Sequence, residues 1–369
     1  MIKLVYDYQI FWQQQYGGIS RYFYDLATQI SEYEQFNVKI LAGLHVNEYL
    51  KQIKPELVLG AAVPKVPKAG NVLKQLNKYF SKAWLSTNPP DIIHETFYAV
   101  HGVAPKKSVT VLTVYDFIHE KFDLENPVNS VKAAAIRRAD HLICISENTK
   151  KDLLEIFDLE LDKVSVVYEG IGLADSVKNR SQTETNLSAS SLQAPYILFV
   201  GHRSGYKNFE RFLKAIATSS TLLKDFKIVC FGSVPLQREE MKFANSLGIS
   251  EDNLLWFSGD DSLLESFYRG ASALVFPSLY EGFGNPPLEA MSAGCPVICS
   301  NTSSMPEVSE NAAEYFDPYE VESIMTAMEK VLYSQEKAED MINRGRERAK
   351  LFTLDKCAEQ IRDIYLSLV

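Results

Sequence analysis

The chain has no predominantly apolar run approaching the roughly 20 residues needed to span a bilayer, so no transmembrane segment is expected. Its five cysteines, Cys144, Cys230, Cys295, Cys299 and Cys357, form no Cys-x-x-Cys motif, and Cys144, Cys230 and Cys299 lie in or at the end of strand-like apolar runs. Reduced, buried core thiols follow. There is no His/Cys cluster with metal-ligand spacing, no Asp-x-Asp and no Gly-x-Ser-x-Gly, so no bound metal is expected and a serine hydrolase is disfavoured. Positive charge is also scarce. The 38 Lys and Arg residues against 47 Asp and Glu leave a net charge of −9, which repels nucleic acid. The opening Met1-Ile2-Lys3-Leu4-Val5-Tyr6 lacks the apolar core and small-residue cleavage site of a signal peptide and reads as a β-strand, which points to the cytoplasm.

What is present is an ordinary globular composition: 369 residues, 46% hydrophobic, 23% charged and 11% aromatic, with Gly 18 and Pro 15. At roughly 100–200 residues per domain this length suggests about two domains, each with its own core. Short apolar runs (Ile2–Tyr6, Val38–Ala42, Asp91–His94, Val109–Val114, Leu142–Ile145, Val164–Tyr168) alternate with helical patterns and read as buried parallel strands. The alternation stops in a polar stretch and resumes with Tyr196–Val200, Lys227–Phe231, Leu254–Phe257, Ala273–Phe276 and Pro296–Cys299. The expected organisation is therefore α/β, with a Rossmann-like doubly wound domain at 1–172, a linker at 173–193 and a second such domain at 194–353. A last amphipathic helix, about 354–369, carries Ala358, Ile361, Ile364, Tyr365 and Leu368. Two such domains leave a cleft, and open α/β sheets bind ligands at the carboxyl ends of their strands.

The most informative segment runs from Ala273 to Val297. A strand leads into Glu281-Gly282-Phe283-Gly284-Asn285-Pro286-Pro287-Leu288-Glu289; Asn285 suits an N-cap, the prolines suit the first helical positions and Gly294 suits the C-terminal cap. Glu281 then lies on the loop and Glu289 in the first helical turns. Two carboxylates and a helix N-terminus can converge on a phosphorylated ligand, or can simply be a solvated acid and a residue complementing the helix dipole. A second strand ends in Gly201-His202-Arg203-Ser204-Gly205-Tyr206-Lys207-Asn208, putting Arg203 and Lys207 ahead of a helix, where two cations can face one diphosphate. Near the N-terminus, Tyr16-Gly17-Gly18-Ile19-Ser20-Arg21 follows the first strand; paired glycines allow close approach of backbone to a phosphate or sugar, or are only a turn.

Glu281-x7-Glu289 with its continuation into Ala290-Met291-Ser292-Ala293-Gly294-Cys295-Pro296-Val297 resembles the signature of glycosyltransferase family 4, the large retaining group with two facing Rossmann-like domains (the GT-B fold). The resemblance extends over nearly the whole chain. It implies that Glu289 binds the ribose hydroxyls of a nucleotide and that Glu281 contacts the transferred sugar or its leaving phosphate. It further implies that Arg203 and Lys207 stabilise the diphosphate, and that Gly17 and Gly18 approach that diphosphate from the other domain. Gly282, Phe283, Gly284 and Asn285 belong to the same donor loop.

Thr113-Val114-Tyr115-Asp116-Phe117-Ile118-His119 leaves another strand where many family members read Thr-x-His-Asp; this chain keeps Asp116 but has Tyr115 in place of the usual His. Asp116 is a candidate for acceptor or sugar binding, or a structural cap. His119 is a candidate substitute, and His94, at another strand exit, is expected to face the cleft or to be an ordinary satisfied histidine. Ser146-Glu147-Asn148-Thr149 reads mainly as an N-cap.

From Leu57 to Pro90 there is no acidic residue, but there are Lys65, Lys68, Lys74, Lys78 and Lys82. Read as a helix from about Asn71, the segment puts Leu73, Leu76, Phe80 and Trp84 on one face and Lys74, Lys78 and Lys82 on another, a face that can lie on anionic lipid or be solvated on a helix packed against its own sheet.

The expected activity is transfer of a hexose, mannose-like or other, from a GDP- or UDP-sugar to a glycan or lipid-linked glycan in surface-polysaccharide assembly, with retention and no metal or other cofactor. Glu281, Asp116, Arg203 and Lys207 would carry the chemistry. A nucleotide-sugar epimerase or hydrolase of the same fold and a silent sugar-binding subunit are the alternatives. The expected location is the cytoplasm, with peripheral contact at the inner face of the membrane through the lysine stretch.

Overall fold

The computed structural model describes residues 1–65, 70–122, 130–172, 192, 194–203, 205–232 and 234–369. The expected linker, 173–193, lies outside the described residues apart from Leu192, as does Lys68. The chain divides into two compact units, Met1–Gly170 with Leu354–Val369, and Ile171–Thr353.

The first unit holds β1 (Ile2–Tyr6), β2 (Phe36–His45), β3 (Val58–Ala62), β4 (Ile92–Glu95), β5 (Val109–Val114), β6 (His141–Cys144) and β7 (Val164–Val166), in the order β3-β2-β1-β4-β5-β6-β7. The second holds β8 (Tyr196–Val200), β9 (Lys227–Phe231), β10 (Leu254–Phe257), β11 (Ala273–Phe276), β12 (Val297–Ser300) and β13 (Ala313–Phe316), in the order β10-β9-β8-β11-β12-β13. Strand pairing is parallel throughout both sheets. Both orders reverse direction once, between β1 and β4 and between β8 and β11, the point where open α/β sheets take ligands. All of Tyr196–Val200 and Ala273–Phe276 is buried, because helices cover both faces of these central strands. The two edge strands β3 and β13 are additions to the expected set.

The last helix, Leu354–Ser367, packs on the first unit and buries Cys357, Ala358, Ile361 and Tyr365 there. All five cysteines are buried free thiols.

The helix Gly70–Thr87 departs from the expected faces. It buries Asn77, Ser81 and Leu85, whereas Leu76 and Phe80, assigned to its packed face, are exposed along with Val72 and Tyr79. The cause is polar. Asn77 accepts from the Leu44 amide at 2.7 Å and donates to the Leu44 carbonyl at 2.9 Å. It does so beside Gly43 (φ +56°), where a Cβ would meet the Asn77 Oδ1, and where the β2–β3 register shifts. Leaving those buried backbone groups unpaired would cost about 1–3 kcal/mol each, so the amide sets the helix's rotation and the apolar stripe is left outside.

Candidate functional site

The second unit assembles its candidate site at the exits of β8 and β11. Beyond β8 the chain turns through Gly201, whose φ of +116° favours glycine, and then a short turn Gly205–Lys207. Asn208 takes a left-handed conformation (φ 60°) and its side-chain amide donates to the carbonyls of Pro277 (3.1 Å) and Pro318 (2.7 Å). With the Leu279 amide donating to the Tyr206 carbonyl at 2.7 Å, this fastens the β8 exit to the β11 exit. Lys207 and Glu281 meet as a result: Nζ lies 2.6 Å from Oε1, with the two side chains 11% and 12% exposed. The ammonium also sits over the rings of Phe276 (4.9 Å) and Tyr206 (5.3 Å), so it is screened from water on its apolar side.

The loop carrying Glu281, Gly282 and Phe283 is braced from the β12 exit. Ser303 accepts from the Glu281 amide at 2.9 Å while adopting a left-handed φ of 52°, and Ser304 donates to the carbonyls of Glu281 and Phe283. The following helix, Asn285–Ala293, has Gly284 (φ +131°) and not Asn285 at its N-cap, and a Cβ at Gly284 would meet the Met305 side chain. Pro286 and Pro287 carry no N–H, so this helix start offers fewer backbone donors to an anion than the expectation supposed. Gly294 ends the helix in a left-handed conformation. Glu289, half-buried in it, accepts from the Tyr268 hydroxyl at 3.0 Å.

Arg203 is not a second open cation beside Lys207. Its side chain is 2% exposed, with Nε and Nη2 on Glu240 (2.9 and 3.1 Å) and Nη2 also on the carbonyls of Val234 and Pro235. Glu240 in turn accepts from the Gln237 amide, so Arg203 ties the β8 exit to the capped start of the helix Arg238–Ser246. The sequence could not show this, because the anchoring carboxylate is 37 residues away. His202 is the exposed residue of this pair.

In the first unit the candidates do not gather. His94 is wholly buried, its Nδ1 2.6 Å from the Tyr365 hydroxyl and its Nε2 2.9 Å from Thr113 Oγ1, so it is a satisfied core histidine and faces no ligand. Burial pushes it down to about 3. Tyr115, the candidate in place of the usual family His, is also buried and set edge-on to Tyr22. Asp116 accepts from the Ile118 amide at 3.1 Å, capping the short helix Ile118–Phe122, and Lys132 donates to its carbonyl at 2.8 Å. His119 is exposed on that helix. Gly17 is extended and backs onto the Gln14 amide, which accepts from the Ser20 amide at 3.1 Å and so occupies part of the helix start Gly18–Ile30. Gly18 has open space where a Cβ would be. Ser146 caps Glu147–Ile156 through the Thr149 amide.

His202, Tyr206, Glu240, Tyr268, Ser303 and Ser304 were not singled out from the sequence. The available signal was position alone, since four of the six lie within a few residues of a strand's carboxyl end.

The fold and this site define a two-domain Rossmann-like protein with an almost fully buried Lys207–Glu281 ion pair at the carboxyl edge of its second sheet. Residues 182–348 match the profile of "Glycosyl transferases group 1" and residues 16–175 that of "Glycosyltransferase Family 4". The chain belongs to the family 4, group 1 glycosyltransferases. The serotype-specific mannosyltransferase WbdA of Escherichia coli is 32% identical over 208 residues, 54% of this chain and 25% of that protein. The chain thus spans about a quarter of the length of the curated relatives it matches first. The O-antigen chain mannosyltransferase RfbU of Salmonella typhimurium is 23% identical over 361 residues, 93% of this chain and 94% of that protein. Anabaena HepE, solved in complex with UDP-glucose, shares the fold at a TM-score of 0.75 over the whole of both chains, at 13% identity.

Proposed function

We propose that the protein transfers a hexose from a nucleoside diphosphate sugar to a hydroxyl of a glycan or lipid-linked glycan during polysaccharide assembly, with the second unit binding the donor and the first the acceptor. The observation that carries this reading is the Lys207–Glu281 pair at the exits of β8 and β11. A largely buried ammonium there can follow the departing diphosphate, and its carboxylate partner can accept from a sugar hydroxyl. Glu289, held by Tyr268, is suited to ribose hydroxyls. The mannosyltransferase names of the relatives favour a GDP-linked, mannose-like donor over a UDP-linked one.

We read the reaction as retaining. The sugar's C1–O bond to phosphate breaks while the acceptor oxygen bonds C1 from the same face, and the acceptor's proton passes to the departing phosphate oxygen. Lys207 stabilises the charge that develops, and no metal is required. The test is release of GDP from GDP-mannose, or of UDP from UDP-glucose, in the presence of candidate acceptors and excess EDTA. Acceptor-dependent release that persists in chelator is expected. Release without acceptor would point to a hydrolase, binding without release to a silent subunit, and loss in EDTA restored by manganese would overturn the metal-free chemistry.

The working place we infer is the cytoplasmic face of an anionic membrane. Among the described residues no helix is long and apolar enough to cross a bilayer. The helix Gly70–Thr87, however, leaves Val72 61%, Leu76 49%, Tyr79 69% and Phe80 41% exposed, beside Lys74, Lys78 and Lys82 and with no acid from Leu57 to Pro90. An exposed apolar stripe on a helix that also carries three lysines, in a chain of net charge −9, complements anionic headgroups, each lysine contributing about 1 kcal/mol. Co-sedimentation with anionic but not neutral liposomes is expected, reduced by salt and by Lys74/Lys78/Lys82→Glu, and reduced at all salt concentrations by Leu76→Ser/Tyr79→Ser. Equal recovery with both vesicle types at low salt would make the acceptor a soluble glycan.

A further inference from the structure

With Arg203 turned inward, the proposed donor site carries no net positive charge. Lys207 is matched by Glu281 and Arg203 by Glu240, so these four groups sum to zero, whereas a nucleoside diphosphate sugar brings two negative charges. The exposed residue between Gly201 and Arg203 is a histidine.

We propose that His202 is the second cationic contact of the donor diphosphate, neutral while the site is empty and protonated when the anion arrives. This rests on the nucleotide-sugar reading above. His202 is held for the role by its neighbours. Its Nε2 lies 3.2 Å from the Tyr206 hydroxyl, and the two rings meet edge to face at 5.3 Å and 79°. The Lys207 ammonium sits 5.3 Å from the centroid of the same Tyr206 ring, so imidazole and ammonium both pack on this tyrosine. Nδ1 has no hydrogen-bond partner among the described residues and remains for a phosphate oxygen.

The charged groups around the imidazole explain why it waits unprotonated. Partial burial lowers its affinity for a proton first, Lys207 and Arg203 lower it further, and Glu281 acts the other way. A diphosphate placed against Nδ1 reverses the balance, since an anion in contact favours imidazolium, and near neutrality the histidine changes state for a modest shift. Binding then takes up a proton, and by linkage the donor binds more tightly as pH falls. Both charged groups on the diphosphate would thus be recruited only when they are needed: Lys207 by exchange from Glu281, His202 by protonation.

The test is calorimetric titration of the full chain with GDP-mannose and UDP-glucose, whose diphosphates do not themselves titrate near neutrality, from pH 6 to pH 8 in two buffers of different ionisation enthalpy. For the sugar nucleotide that binds, affinity is expected to fall several-fold over this range, with a fraction of a proton taken up. His202→Gln should bind at the wild type's pH 8 level throughout and take up none. Because His202 is exposed, this variant is expected to melt as the wild type does. If the wild type binds with pH-independent affinity and His202→Gln matches it, the role of His202 falls while the donor site stands. If neither sugar nucleotide binds at any pH, the reading of the site fails, and this proposal with it.

Discussion

Lys207→Ala is expected to weaken binding of the sugar nucleotide by about 10- to 100-fold and to lower turnover further, because one charge-assisted contact to the diphosphate is worth about 1.5–3 kcal/mol and strengthens as the leaving group gains charge. The pairing with Glu281 at 2.6 Å gives this substitution a second consequence. Deleting the ammonium leaves a carboxylate, 12% exposed, facing the same space as the incoming anion, so repulsion adds to the lost contact. The double variant Lys207→Ala/Glu281→Gln separates the two effects. It should recover part of the binding that Lys207→Ala loses, but not the turnover, since its neutral amide neither repels the diphosphate nor stabilises its departure. Affinity measured by calorimetry and turnover by nucleotide release, both against wild type, decide the matter. Unchanged affinity and turnover in Lys207→Ala would remove Lys207 from the site.

How much of this was legible in the sequence follows from how local each signal is. Six strands were readable to the residue (β1, β5 and β8 to β11), because buried parallel strands are continuous apolar runs bounded by polar residues. The two strands that went unread are sheet edges. In β3 the run Val58-Leu59-Gly60-Ala61-Ala62 is only half covered, and β13, Ala313-Glu314-Tyr315-Phe316, is half polar, so neither shows the apolar density of a central strand. The Glu281–Glu289 loop was legible as a motif of contiguous residues. The partners that decide what Arg203, His94 and Asn77 do were not, because they come from distant segments: Glu240 for Arg203, Tyr365 for His94, the Leu44 backbone for Asn77. Each is a polar side chain whose pairing settles its direction, and hydrophobic periodicity carries no information about polar pairing.

His94 leads to the second large effect, an acid-sensitive first unit. The buried imidazole is held neutral between Tyr365 and Thr113, with its proton affinity pushed down to about 3 from an ordinary value of 6.5. A depressed folded-state value means that the unfolded chain binds the proton that the folded chain refuses. The contribution is therefore fully present above 6.5 and is lost as pH falls from 6.5 towards 3. Between pH 7 and pH 5 the loss amounts to about 2 kcal/mol, from 1.36 kcal/mol per pKa unit. Asp7 works in the opposite direction. Burial and the neighbouring Glu95 raise it to about 7, so its contribution is present at low pH and lost as pH rises from about 4 to 7. The His94 term is consequently read as a difference between proteins. Amide exchange of β4 and of the helix Leu354–Ser367, which reports opening of the first unit, should accelerate about 30-fold more between pH 7 and pH 5 in the wild type than in His94→Gln once the intrinsic rates are removed, as about 2 kcal/mol requires. Tyr365→Phe tests the same network from the helix: it keeps the ring's packing but leaves Nδ1 without its partner, and it should lower the protection of the last helix at pH 7 by about 1–3 kcal/mol. Parallel pH dependence in wild type and His94→Gln would mean that the imidazole is reached by protons without opening of the unit.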